Sequence, residues 1–137
     1  MLSTVYDLRE DPDSVRSMQQ GSTSAGSSGL RVTHGLVGSD EWWRQLESGV
    51  LPLHTLRGRV TGCSLGVHDG GPVEFELKEP NGNRSTWLVS KMDPRSAKAC
   101  FRLNRGIEVD FVRQERKVPF EEEAEAKVLV AVRVVLG

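Results

Sequence analysis

The stretch from Leu56 to Ser90, LRGRVTGCSLGVHDGGPVEFELKEPNGNRSTWLVS, decides the fold. In its middle, residues 73–78 (VEFELK) alternate apolar and charged side chains without a break. A period of two is typical of a β-strand with one buried face and one solvated face. Residues 80–83 (PNGN) then have turn chemistry, and residues 86–89 (TWLV) carry the chain back. The pattern predicts a β-hairpin.

Further strands are predicted on both sides of this hairpin. Residues 53–64 contain Gly58 and Gly62 inside a strand pattern, which is typical of a bulged or sharply bent strand. Downstream, the sequence predicts a helix from Asp93 and Pro94 to residues 104–106, an alternating strand at 107–115, a charged loop at 116–126 and a valine-rich strand at 127–136.

A short amphipathic helix is predicted ahead of the strands, within residues 39–49. Ser39 suits the N-cap, and Gly49 suits the C-terminal end. Two adjacent tryptophans on a helix cannot both face one core, so we expect one to pack inward and the other to lie against a loop or at an interface. Trp42 and Trp43 are therefore the candidate partner-binding residues, although a helix that only plugs an open end of the sheet is the simpler alternative.

Residues 1–29 are predicted to form a disordered tail or linker. Within them, residues 19–29 (QQGSTSAGSSG) bury too little apolar surface to offset an ordering cost of about 1–2 kcal/mol per residue. A partner-binding peptide at residues 5–8 (VYDL) is the alternative for this region. Residues 30–137 are expected to form a single domain, because a chain of 137 residues is too short for two separate cores.

The composition describes a globular protein with some unstructured chain, since 37% of the residues are hydrophobic and 27% are charged. A formal net charge of -1 provides no overall attraction to nucleic acid or to an anionic membrane. No apolar run approaches the roughly 20 residues that a membrane helix needs, and the acidic N-terminus does not resemble a secretory signal. Cys63 and Cys100 are typical of free thiols, so the predicted location is cytoplasmic, with no membrane partner.

The predicted element order after the leading helix is strand, strand, strand, helix, strand, strand. Over residues 53–136, this order and the glycine-bent first strand resemble the OB-fold, a five-stranded closed or partly open barrel. The predicted fold is mainly β with two short helices, arranged as a five-stranded OB-like barrel behind a leading helix and a disordered tail. Another small barrel and a two-layer α+β sheet are the alternatives.

The sequence contains no recognisable catalytic or metal-binding constellation. Cys63 and His68 come nearest to a nucleophile and its base, but no orienting third group or oxyanion hole accompanies them. The acidic run at 121–125 (EEEAE) favours a solvated, self-repelling loop over a cation site. We therefore expect no catalytic residue, no metal and no cofactor, with a cysteine-dependent enzyme as the alternative.

The leading functional prediction is a non-catalytic module that binds a protein partner. Single-stranded nucleic acid is the alternative partner, because OB-folds bind single strands across their second and third strands and the adjoining loops. Outward carboxylates argue against it, since those at Glu74, Glu76, Glu108 and Asp110 would repel phosphates. Glu74 and Glu76 instead suit cross-strand ion pairs with Arg57 and Arg59. A small ligand inside the barrel is a further alternative. The candidate nucleic-acid-binding residues are Arg57, Arg59, Lys78, Arg84, Trp87, Arg113, Arg116 and Lys117.

Overall fold

The computed structural model describes residues 1–24, 29–64, 72–90, 92–120 and 123–136. Over these ranges the chain is mainly β, as the alternating patterns predict. In chain order the elements are β1 (Leu2–Asp7), a 3-10 turn (Leu8–Glu10), α1 (Pro12–Thr23), α2 (Asp40–Glu47), β2 (Leu53–Ser64), β3 (Val73–Lys78), β4 (Arg84–Val89), α3 (Pro94–Cys100), β5 (Gly106–Phe120) and β6 (Glu123–Val135).

The strands form one antiparallel sheet in the order β1-β6-β5-β2-β3-β4. The prediction of a mainly β fold of the barrel-like class is confirmed. The sheet has six strands in the described residues, not five, because β1 adds to the outer side of β6. The register of β2 against β3 shifts between Val60 and Gly62, so the bulge that the strand glycines predict is present.

The hairpin of β3 and β4 follows the predicted alternation. Val73 opposes Val89 and Phe75 opposes Trp87, and all four side chains are buried. The helices begin where the capping residues predict: the Ser39 hydroxyl accepts from an α2 backbone amide, and the Asp93 carboxylate does the same for α3. Local capping chemistry thus fixes both helix starts.

The expectation of a disordered tail is wrong for the residues that the structure describes there. Residues 2–23 form β1, the 3-10 turn and α1, and Leu8 is only 1% exposed. Asp7 caps the turn and Asp11 caps α1, with Pro12 at the first helical position. Tertiary contacts and caps therefore order a segment whose composition favours disorder, while residues 25–28 of the predicted linker lie outside the described ranges.

The predicted charged loop at 116–126 is also wrong in its extent, because β5 continues to residue 120 and β6 begins at residue 123. The extension is held by a neighbouring segment: Leu30 bridges Arg116, and the Lys117 amide donates to the Gly29 carbonyl oxygen at 3.1 Å. On the same strand Asp110, which the alternation turns toward solvent, is only 8% exposed. Pairing partners that are distant in sequence override the local loop signals.

The chain divides into two compact units, which are described separately. Unit 1 comprises residues 1–6, 55–109 and 131–137, and unit 2 comprises residues 7–54 and 110–130. Unit 1 contains 10 Lys and Arg against 6 Asp and Glu, a formal charge of +4, whereas unit 2 contains 8 against 13, a charge of −5. The near-neutral total therefore combines two parts of opposite sign. A single domain over 30–137 stays a prediction.

Each unit has its own buried apolar residues. In unit 1 the rings of Phe75 and Phe101 stack with their centroids 4.5 Å apart, which joins α3 to β3. In unit 2 the fully buried Trp42 joins α2 to β5, and Leu8 and Val37 are buried as well. No helix in the described ranges is long and apolar enough to cross a membrane.

Candidate partner-binding site

Trp42 is the inward member of the tryptophan pair. Its side chain has no exposed surface, and its indole Nε1 donates a long hydrogen bond of 3.4 Å to Oε1 of Gln114. Gln114, itself 1% exposed, donates from Nε2 to the Arg31 carbonyl oxygen at 2.8 Å and to the Thr33 hydroxyl at 3.0 Å. Buried polar groups must find such partners, so this network fixes α2 and residues 31–33 on β5. Trp42 is therefore structural.

Trp43 is the outward member and is half-buried. Its ring meets that of Trp42 edge to face, with centroids 4.7 Å apart and an interplanar angle of 84°. The Arg9 guanidinium lies 3.9 Å above the Trp43 ring, and its Nη2 pairs with Oε1 of Glu47 at 3.1 Å. Edge-to-face packing and a cation–π contact each contribute about 0.5–1 kcal/mol at such sites. Together they hold the outer indole in one orientation.

A groove of about 330 Å³ opens beside Trp43 within unit 2. Its walls are α1 with the preceding turn on one side and α2 with the residue at 38 on the other. Its lining combines apolar side chains with two arginines, a combination that is common where proteins bind partners. The lining residues are Leu8, Arg9, Pro12, Val15, Arg16, Gln19, Gly38 and Trp43.

The groove depends on how closely α1 packs. Gly38 has a φ of +80°, and a Cβ atom there would lie 2.7 Å from Cγ1 of Val15, so only glycine fits at this point. Gln19 donates from Nε2 to the Val37 carbonyl oxygen at 3.0 Å. The sequence analysis missed this wall, although Asp11 followed by Pro12 is a helix-start signature that would have located α1.

The predicted nucleic-acid residues do not form a stacking site. Trp87 is only 5% exposed, and its indole Nε1 donates to the Ser85 hydroxyl at 2.9 Å. Bases stack on open aromatic faces, and this indole presents none of sufficient size. The nitrogen Nζ of Lys117 donates to the carbonyl oxygens of Gly21 and Ser24, both at 2.8 Å, so it holds the end of α1.

Carboxylates neutralise two more of the predicted basic residues. Arg57 pairs with Glu108 at 2.6 Å, which differs from the expected pairing with Glu74 or Glu76 on β3. Arg84 donates to Oε1 of Glu76 at 3.1 Å, and the Thr61 hydroxyl donates to the same oxygen at 2.7 Å. The Thr61 hydrogen bond, followed by the Arg84 charge, holds the pKa of Glu76 below its ordinary value. The ion pairs foreseen on the sheet exist, but with other partners.

The remaining basic residues fall into two groups. In unit 1 the strand register places Arg59 opposite Lys78 and Lys78 opposite Arg84, so the structure brings these three together. In unit 2 Arg113 and Arg116 line a separate cavity of about 430 Å³. That cavity also contains carboxylates at 123 and 125, which oppose the binding of a polyanion.

Neither metal nor thiol chemistry gains support. The described residues contain no group of three or more His, Cys, Asp or Glu side chains that could hold a metal ion. Cys63 lies at the surface, yet its partial burial raises the pKa of the thiol, which lowers the thiolate fraction that a nucleophile needs. The base proposed for it, His68, lies outside the described residues.

Fold and site together define a small, mainly β protein whose exposed aromatic groove suits a protein partner. The family model described as Immunity protein RhsI2 matches residues 2–135, and the chain belongs to this family. No curated protein matches the chain. The family is not an OB-fold family, so the resemblance to the OB-fold does not extend beyond the barrel-like class. The match includes the segment that composition assigned to a tail, in agreement with its ordered structure.

Proposed function

We propose that the chain binds an Rhs toxin and keeps it inactive by occupying its surface, with no catalytic step of its own. Membership of an immunity-protein family supports a toxin as the partner. We place the encounter in the cytoplasm, where the free thiols Cys63 and Cys100 are chemically stable.

The observation that carries this proposal is the contact of Arg9 with Trp43 at the edge of the groove. Tryptophan and arginine are the residues most enriched among those that dominate binding energy in interfaces. Trp43 is already held by Trp42 below and Arg9 above, so little side-chain entropy is lost when a partner docks on it. The groove beside it accepts an apolar side chain of the toxin.

The test is a Trp43→Ala variant of the full chain, titrated by calorimetry against a catalytically inactive Rhs toxin domain. We expect Kd to rise at least 30-fold, about 2 kcal/mol, because a buried aromatic anchor is lost. Protection of growth should fall in parallel when active toxin and the variant are expressed together. Arg44→Ala is the matched control, since Arg44 is exposed on the same helix but does not line the groove.

Two outcomes contradict the proposal at different levels. If the unaltered chain neither binds the toxin domain at 10 µM, roughly the weakest affinity expected of a stable inhibitor, nor protects growth, the function is wrong. If Trp43→Ala binds and protects as well as Arg44→Ala does, the function stands but the groove is not its site. A urea unfolding curve confirms that each variant is folded before it is compared.

A further inference from the structure

Three cationic side chains form a row across β2, β3 and β4 in unit 1. Arg59 lies opposite Lys78, and Lys78 lies opposite Arg84. Residues directly opposite on neighbouring antiparallel strands point to the same face, with their Cβ atoms about 5 Å apart. Arg59, Lys78 and Arg84 are called the basic row.

The basic row costs stability in the unbound protein, because like charges directly opposite each other on a sheet repel. Arg84 is offset by its ion pair with Glu76. Within the described ranges, Arg59 and Lys78 have no ion pair and no side-chain hydrogen bond that would offset their positive charges. An anionic group placed over the row would remove this repulsion.

The backbone below the basic row is tightly fixed. At Gly58 a Cβ atom would overlap the Lys78 carbonyl oxygen, so β2 approaches the end of β3 as closely as a backbone can. The turn after β3 closes with hydrogen bonds from the Glu79 amide to the Asn83 carbonyl oxygen at 2.8 Å and from the Gly82 amide to the Glu79 carbonyl oxygen at 2.9 Å. The three Cα positions are therefore set before any partner arrives, which lowers the ordering cost of binding.

We propose that the basic row is a second contact for the toxin partner and binds a short segment that carries two or three Asp or Glu side chains. This inference rests on the proposed function. Two strand spacings give the row a length of about 10 Å, between the roughly 7 Å that two carboxylates and the roughly 13 Å that three carboxylates span at alternate positions of an extended segment. The surplus of Lys and Arg in unit 1, 10 against 6 acidic residues, steers such a segment toward it.

A protein carboxylate fits this row better than a nucleic-acid backbone does. Glu76 already contacts Arg84, and Glu74 precedes Glu76 by two residues on the same face of β3. A longer polyanion would therefore meet carboxylates. The nearest indole on these strands, Trp87, is only 5% exposed and offers no platform for a base. The row therefore suits a short cluster of charges.

The test compares two triple variants in stopped-flow association with the inactive toxin domain. One replaces the basic row by glutamine, and the other makes the same charge change on exposed residues of unit 1 elsewhere. We expect the first to associate about 10-fold more slowly at low ionic strength, with a weaker dependence on salt, and the second to change the rate by less than about threefold. The variants are Arg59→Gln, Lys78→Gln and Arg84→Gln together, and Arg95→Gln, Lys98→Gln and Arg102→Gln together.

Equal association rates for the two triple variants would overturn the inference while leaving the proposed function intact. Failure of the unaltered chain to bind the toxin domain would instead remove the proposed function. A single-stranded oligonucleotide of about 15 nucleotides, titrated in parallel, tests nucleic acid as the competing partner. The proposal is contradicted if the oligonucleotide binds through the basic row while the triple variant associates with the toxin domain at an unchanged rate. Lys78→Gln alone should shift the urea midpoint upward, and a downward shift would contradict the repulsion on which the inference depends.

Discussion

The Nε atom of Arg57 lies 2.6 Å from Oε2 of Glu108, and this contact joins β2 to β5. The other oxygen of the same carboxylate accepts from Nε of Arg133 on β6 at 3.1 Å. Hydrogen bonding from Arg57 is the main reason that the pKa of Glu108 lies below its ordinary value, with Arg133 acting in the same direction against partial burial. One carboxylate thus links three strands of unit 1.

This carboxylate makes part of the stability dependent on pH. Because its pKa is lower in the folded chain, its contribution is fully present above the unfolded value of 4.5 and is lost as the pH falls through the folded value. Glu108→Gln should destabilise the chain by about 1 kcal/mol at pH 7, a modest amount since Arg57 is largely exposed. Urea unfolding should show the two proteins converging as the pH falls below 4.5. A constant difference across this range would contradict the prediction.

Gln114 should be among the most sensitive polar positions in unit 2. Gln114→Leu removes the hydrogen-bond partners of the Trp42 indole and the Arg31 carbonyl oxygen, so we expect a loss of about 2–3 kcal/mol. The urea midpoint measures this loss. Gln20→Leu, at an exposed position of α1, is the control and should change stability by less than about 0.5 kcal/mol. Similar values for the two variants would mean that the network does not stabilise the fold.

Two glycines of β2 provide a matched test of backbone packing. At Gly58 an added methyl group would overlap the Lys78 carbonyl oxygen, whereas at Gly62 it would meet nothing within 4 Å. Gly58→Ala should therefore cost about 1–3 kcal/mol, and Gly62→Ala should be neutral or slightly stabilising. Thermal unfolding of both proteins measures the difference. Equal midpoints would show that β2 and β3 separate easily beside Gly58.

Local sequence patterns predicted the elements whose determinants lie close together in the chain. Alternation located β3 and the buried faces of Phe75 and Leu77, and caps located the starts of α2 and α3. The predicted bounds of the glycine-bent strand, residues 53–64, are those of β2. Such signals depend on the period and on the first turn of a helix, which a single sequence displays directly.

The features that were missed depend on partners far away in sequence. Nothing near β1 indicates that it pairs with β6, which begins 121 residues after β1 does, and polar composition concealed α1. The candidate site was predicted in part. Because Trp42 and Trp43 are adjacent on a helix, the sequence indicated that one of them would face outward, but it did not indicate which one. Arg9 could not be placed on Trp43 without α1 and its preceding turn. Long-range pairing must be known before such a site can be assembled.

The helix α1 should open locally when Lys117 is replaced. None of its 12 residues is buried, and an isolated helix of that length is marginal in water. The ammonium of Lys117 holds the C-terminal end of the helix, because it donates hydrogen bonds to the carbonyl oxygens of Gly21 and Ser24. Positive charge is favourable at this end of a helix. Lys117→Met should therefore speed amide exchange in the last turn of α1 by roughly 10-fold, about 1–2 kcal/mol of lost local stability. Hydrogen exchange with mass spectrometry measures this rate, and Lys98→Met, at an exposed position, is the control. Unchanged exchange in α1 would show that the hydrogen bonds of Asp11 and Gln19 suffice to hold the groove wall.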